Sequence, residues 1–293
     1  MLSLAAIRYR SVLESEGGPI SFIEEGELSI QGVRYFQANA HLRASLVPRR
    51  ERQLYSPADG SGMHASPMVA RHKAISEALE RWAYFATVSS PKNAVFGFHV
   101  DRSSNGMASF PGLSKRSARK VARYEAIERF CVLNWWEGYL EGTPRPTKWP
   151  GVTAVSFVLS ETDVAVILFM RSDSGRYAYG HAAGWSFDAA CERAHLEMFR
   201  HEWAISSWIN NGRQSSPDDL FEKRALFFST DKGHGVFENR LVQSAIRKPL
   251  PVRLVVCDSE IIGPWSKYST VWRYLLRPPS ERFLSSDGQY FFW

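Results

Sequence analysis

Between residues 152 and 183 the apolar positions follow the period of a strand. The run TAVSFVLS is followed by ETD, then VAVILFM, then RSDSG, then RYAYGHAA. Runs of this length, rich in branched and aromatic residues and broken by short polar turns, predict a meander of two hairpins. Further strands are expected at 32–37, 251–257 and 270–276.

Elsewhere the period is helical, and three segments share one design. Each has a glycine-containing loop, then a serine suited to N-capping, then an amphipathic run carrying glutamates. The first reads GSGMHASPMVARHKAISEALERWAYF, with Ser66 as N-cap and Pro67 in the first helical position. The second reads SNGMASFPGLSKRSARKVARYEAIERFCVLNWWEG, entered at Ser114 and left at Gly138. The third reads GHAAGWSFDAACERAHLEMFRHEWA, with Ser186 as N-cap and Asp188 favourably placed against the helix dipole.

Composition narrows the class. The 293 residues carry 36 basic and 30 acidic side chains, a net charge of +6, with 44% hydrophobic and 13% aromatic residues. Such a chain is globular, which excludes a disordered, collagen-like or disulfide-dense protein. No linker or composition break divides it, so a single α+β domain over 1–293 is expected, with mixed, largely antiparallel sheets packed with amphipathic helices. Cys131, Cys191 and Cys257 lie far apart with no CxxC pair, and MLSLAAIRYR lacks the apolar stretch of a signal peptide. Both point to a reducing cytoplasm. The longest apolar run, 164–170, falls far short of the roughly 20 residues of a membrane-spanning helix. The basic stretch PRRER at 48–52 reads as a solvated loop, and no nucleic-acid partner is expected.

The first two helices contain nearly the same hexapeptide, Glu77-Ala78-Leu79-Glu80-Arg81-Trp82 and Glu125-Ala126-Ile127-Glu128-Arg129-Phe130. Glutamates three apart share a helix face. Ile75, Ala78, Leu79 and Trp82 form the apolar stripe of the first helix, and Ala122, Ala126, Phe130 and Leu133 that of the second. At about 100° per residue, both glutamate pairs fall away from these stripes, where they could face one polar cavity. The competing reading is a pair of surface Glu–Arg contacts at i,i+4, worth a few tenths of a kcal/mol each. The duplication favours a shared site. Carboxylates gathered in this way need a cation between them, and oxygen-only ligation suits magnesium, which is commonly completed by substrate phosphates. Arg81, Arg129 and Arg193 are placed to neutralise phosphate charge, and no Walker lysine loop is present.

At these residues the sequence resembles the YcaO superfamily, whose members bind ATP through glutamate-rich helices and phosphorylate peptide backbone amides. ARHKAISEALERW resembles the family's first motif, SNGMA with YEAIERF the second, and ERAHLEM the third, over about 60–203. A weaker echo lies in the strand at 271–276, within the terminal region of about 250–293. The resemblance implies that Glu77, Glu80, Glu125 and Glu128 serve magnesium, and that Ser104, Asn105, Arg129, Arg193 and Glu197 touch ATP. It implies a ribosomally made precursor peptide as substrate and azoline-forming cyclodehydration as the reaction, with thioamide or amidine formation by the same amide phosphorylation as alternatives. It further implies a separate leader-peptide-binding or E1-like partner protein, and it admits a homodimer. The chain departs from the family where Ser61 replaces a lysine between two glycines, where Lys73 replaces a small hydroxyl residue, and where QYFFW replaces a proline-rich tail.

Two rival readings differ in kind. A non-catalytic scaffold subunit of a peptide-modification complex is one, fed by Ser61 and Lys73. A di-iron carboxylate bundle is the other, suggested by the ExxH spacing of Glu192 and His195, but that architecture needs a second ExxH and two further glutamates. His64, His72, His181 and His201 show no closed metal spacing and read as core or surface residues. Cys131, on a packed helix, reads as a small buried side chain.

Overall fold

A computed structural model describes residues 3–30, 32–48, 54–211, 217–243 and 249–292. In chain order its elements are α1 (Ala5–Arg8), β1 (Ile20–Ile30), β2 (Val33–Leu42), β3 (Gly60–His64), α2 (Pro67–Val88), β4 (Met107–Phe110) and α3 (Lys115–Trp136). There follow β5 (Thr143–Pro146), β6 (Thr153–Ser160), β7 (Asp163–Arg171), β8 (Tyr177–Gly184), α4 (Phe187–Asn210), α5 (Leu220–Phe228), α6 (Asp231–Val242), β9 (Val255–Glu260) and β10 (Thr270–Leu276). Paired strands of the sheets run antiparallel, so the fold is α+β. Among the described residues no helix is long and apolar enough to cross a membrane. Of PRRER, positions 49–52 lie outside the described residues.

The chain forms two compact units. One comprises Met1–Glu51, Ser56–Ala126 and Val255–Leu276; the other comprises Arg52–Tyr55, Ile127–Leu254 and Arg277–Trp293. The first half of α3 thus belongs to the first unit and the second half to the other.

The first unit holds two sheets, ordered β1-β2-β3 and β4-β10-β9. Its core joins Ile20, Ala38 and Ala40 of the first sheet to Ala70, Ala74, Ile75, Ala78 and Leu79 of α2. The segment GSGMH, expected as a loop, is strand β3, and its glycines have a packing reason. A Cβ at Gly60 would lie 2.2 Å from the carbonyl oxygen of Ala74, and one at Gly62 2.0 Å from that of Ala70. The strand therefore lies flat on the alanine face of α2, closer than any side chain permits. Likewise MASF, read as part of a loop, is β4, paired to β10.

The second unit is built on the sheet β5-β6-β7-β8, which includes the expected meander. Val164, Val166, Leu168 and Ala182 meet Ala190, Ala194 and Met198 of α4. Here too a glycine sets the spacing, since a Cβ at Gly180 would lie 2.1 Å from the Ala194 carbonyl oxygen. A second cluster gathers Trp135, Phe228, Phe237 and Phe291 ring against ring. Beneath it Arg224, fully buried, donates to the carbonyls of Phe283 (2.6 Å), Asp287 (2.8 Å), Ser285 (2.9 Å) and Phe292 (3.2 Å).

The helix starts follow the expected signals, with one difference. Ser186 accepts from the Ala189 N–H, and Gly138 adopts φ +89° just beyond α3. Ser66 holds the N-cap position ahead of Pro67 but makes no side-chain cap bond; its N–H donates instead to His64 Nδ1 at 3.0 Å.

Candidate functional site

In the first unit α2 and the start of α3 supply Glu77, Glu80 and Glu125. Glu77 is fixed from two sides. Its Oε2 accepts from the Ser61 backbone N–H at 3.0 Å, and its Oε1 lies 3.6 Å from Arg81 Nη2. Arg81 Nη1 donates to Ser104 Oγ at 3.0 Å, while Arg81 Nε is buried without a hydrogen-bond partner among the described residues. Glu80 is strongly perturbed. Desolvation pushes its carboxyl well above the usual range, and the charges of Glu125 and Glu77 push it further, against the pull of Arg81. The backbone of Ser109 donates a hydrogen bond to it.

Ser104 and Asn105 sit in a loop stiffened from within. Asp101, itself buried, accepts from Ser103 N (2.8 Å), Ser103 Oγ (2.6 Å) and Asn105 Nδ2 (3.1 Å). The buried guanidinium of Arg273 donates to the carbonyls of Asp101 and Ser103 at 2.8 and 2.9 Å. Gly106 then turns the chain at φ +67°, where a Cβ would lie 1.9 Å from the Tyr274 carbonyl oxygen. The Asn105 amide nitrogen is thus committed to holding the loop, whereas Ser104 Oγ faces Arg81.

In the second unit Glu128 is 4% exposed. It falls off the apolar stripe as expected but is enclosed, because Ile127, Cys131, Val132 and Trp135 bury the adjoining face of α3 as well. Its Oε1 meets His181 Nδ1 at 2.7 Å and lies 3.6 Å from Arg129 Nε. Burial alone would raise this carboxyl, but Arg129, His181 and Arg193 together outweigh it and hold the group below its usual value. Glu197 is the opposite case: desolvation and then the charge of Glu128 raise its carboxyl. Its Oε2 lies 3.9 Å from His181 Nδ1, and its side chain is 46% exposed. Two acids beside one imidazole are therefore pushed apart in acidity. Arg193 donates to the Ala183 carbonyl at 3.0 Å, and the Arg129 guanidinium lies 4.8 Å over the ring of Phe292.

His181 is the residue that sequence reasoning missed. Its partner Glu128 is on α3, 53 positions away from it on β8, and tertiary packing brings the two together. The ExxH pair forms no metal site: Glu192 is exposed and ion-paired with Lys148, while His195 is buried and stacked on Trp149 at 3.9 Å. Cys131, Cys191 and Cys257 are free and buried, and burial raises the Cys131 thiol. Lys73 Nζ donates to the Met63 carbonyl at 3.2 Å, and Ser61 Oγ to Asn39 Oδ1 at 2.7 Å.

Among the described residues no group of three or more His, Cys, Asp or Glu side chains could hold a metal ion unaided. Magnesium asks for less, because it binds through one or two carboxylates and completes its shell with waters and phosphate oxygens. The Glu80–Glu125 pair, oxygen-only and mutually repelling, fits that demand. No protein-family model matches the chain, and no curated protein matches it.

Proposed function

We propose that the chain is an ATP-dependent enzyme of YcaO type that activates backbone amides of a ribosomally made peptide, with azoline-forming cyclodehydration as the reaction. The observation that carries this reading is the crowding of a desolvated Glu80: burial first, and then the charges of Glu125 and Glu77, hold its carboxyl well above the usual range. Such crowding is costly to an empty site and is relieved by a divalent cation. In this reading Glu77, Glu80, Glu125 and Glu128 serve magnesium. Ser104, Asn105, Arg129, Arg193 and Glu197 serve the nucleotide. The setting is the cytoplasm, with a leader-peptide-binding or E1-like partner protein selecting the substrate.

The chemistry explains the lack of a nucleophile in this set. A Cys, Ser or Thr side chain of the peptide adds to the preceding amide carbon, and the amide oxygen takes the γ-phosphoryl group as ADP departs. The nucleophile gives up its S–H or O–H proton on addition; the C–O bond to phosphate then breaks and the former amide nitrogen loses its proton, so that the ring C=N bond forms as phosphate leaves. When bound, magnesium stabilises the charge of the phosphates. The protein's own task is positioning: Arg81, held between Glu77 and Ser104, presents a fixed positive charge, and the ionised Glu128 keeps Arg129 and His181 in place.

A second reading, the non-catalytic scaffold, is favoured by one observation: Glu77 and Glu128 already have partners within the chain. Calorimetric titration with ATP and magnesium separates the two. Magnesium-dependent binding that is lost in Glu80→Gln supports the enzyme, and no binding at millimolar nucleotide supports the scaffold. Mass spectrometry of a co-expressed precursor peptide then reads the product, loss of water for an azoline or sulfur for oxygen in a thioamide.

A further inference from the structure

We propose that His181 is a positioning residue that orients Glu128 for the magnesium–nucleotide complex, an inference that rests on the reading above. A glutamate on a helix has three rotatable bonds, and an unrestrained carboxylate loses that freedom only on binding its ligand. Here the freedom is already lost. Oε1 of Glu128 is held at 2.7 Å by His181 Nδ1. An ionised carboxylate only accepts, so Nδ1 carries the proton and donates, which also fixes the tautomer of the ring.

The ring itself has little room to move. It is buried, it projects from β8, and Gly180 beside it brings the strand against the backbone of α4 at Ala194 and Met198. The second acid shows where the bond is directed. Glu197 Oε2 lies 3.9 Å from the same nitrogen, too far for a hydrogen bond, so the donor is committed to Glu128 while Glu197 remains open to water. One carboxylate is pinned and one is adaptable. A partner that orients a ligating group in this way commonly affects metal affinity by about 10–100-fold.

The experiment compares the full chain with His181→Leu, which removes the donor, and His181→Asn, whose amide N–H occupies the place of Nδ1–H. ATP is titrated calorimetrically with and without magnesium, and thermal unfolding verifies that each variant is folded. The expected result is a loss of about 10-fold or more in magnesium-dependent ATP affinity for His181→Leu, most of it recovered in His181→Asn. Magnesium-free affinity should stay unchanged. If His181→Leu fails to fold, His181→Ser takes its place with the same expected loss. Unchanged affinity in a folded His181→Leu or His181→Ser overturns the inference alone, as does an equal loss in His181→Asn. A wild-type chain that binds no ATP at all overturns the functional reading and this inference with it.

Discussion

The backbone N–H of Ser61 donates to Oε2 of Glu77 across 3.0 Å, joining a strand to the helix packed beneath it. The bond exists because Gly60 and Gly62, on either side of Ser61, let β3 rest on the backbone of α2. Placement of an acidic side chain is therefore a consequence of two missing side chains.

Gly62→Ala should consequently be among the more damaging small substitutions in the first unit. Its Cβ would meet the Ala70 carbonyl at 2.0 Å, and separating strand from helix costs about 3 kcal/mol by the usual scale of overpacking. Gly26→Ala, on β1 with nothing within 4 Å of the new Cβ, is the control. Urea unfolding should show a clear drop for the first and little change for the second.

Glu80→Gln should stabilise the ligand-free protein at neutral pH while abolishing magnesium-dependent ATP binding. The folded chain holds a proton on Glu80 above the pH at which the unfolded chain releases it. Stability from this group is thus full at low pH and lost as pH rises through the raised value. A neutral isostere removes that loss. Thermal melts at neutral pH should show a higher midpoint for the variant, and a lower one would contradict the assigned crowding.

His195 and His201 set an acid limit on the second unit. Burial lowers both to about 4, while an unfolded histidine protonates near 6.5. The unfolded chain therefore binds more protons between these values, so stability is complete above about pH 6.5 and falls as pH drops toward about 4. His195→Phe retains a ring over Trp149 and removes one of the two titrations. The urea midpoint should then fall less between neutral pH and about pH 4.5 than it does in the parent protein.

Arg224→Met should destabilise by about 3–5 kcal/mol, because it strands buried carbonyls that one guanidinium now satisfies. Arg224→Lys should recover only part of the loss, since an ammonium has three donors and lacks the planar fork. Guanidinium unfolding monitored by tryptophan fluorescence measures both.

How far the sequence foretold this molecule depended on the range of the forces involved. β6, β7 and β8 were legible because their apolar periods are local and their turns carry Asp, Ser and Gly; β10 spans the expected 270–276. β9 begins at Val255 rather than 251, after a stretch in which Val252 and Leu254 are exposed. β2 extends beyond the expected 32–37 to Leu42, and β1 went unread because Glu24, Glu25 and Glu27 interrupt its apolar pattern on a solvent-facing strand. β3 and β4 are strands through their pairing partners, and Gly60 or Met107 carries no local sign of that. At the site, the spacing of Glu77 and Glu80 and the apolar stripes of α2 and α3 were readable. The enclosure of Glu128 and its bond to His181 were not, because the first follows from the burial of a second face of α3 and the second from a residue 53 positions away.

The outer strand β1 has a protective consequence. It lies at the edge of its sheet, eleven residues long, with a row of backbone groups that a neighbouring molecule could pair with to seed fibrils. Glu24, Glu25 and Glu27 stand in the middle of that rim, beside His41, Arg71 and Arg34 respectively, and burying these hydrated charged groups between two copies would strip them of water. Exchanging the three glutamates for threonine or valine would remove that cost and turn a quiet margin into an aggregation hazard.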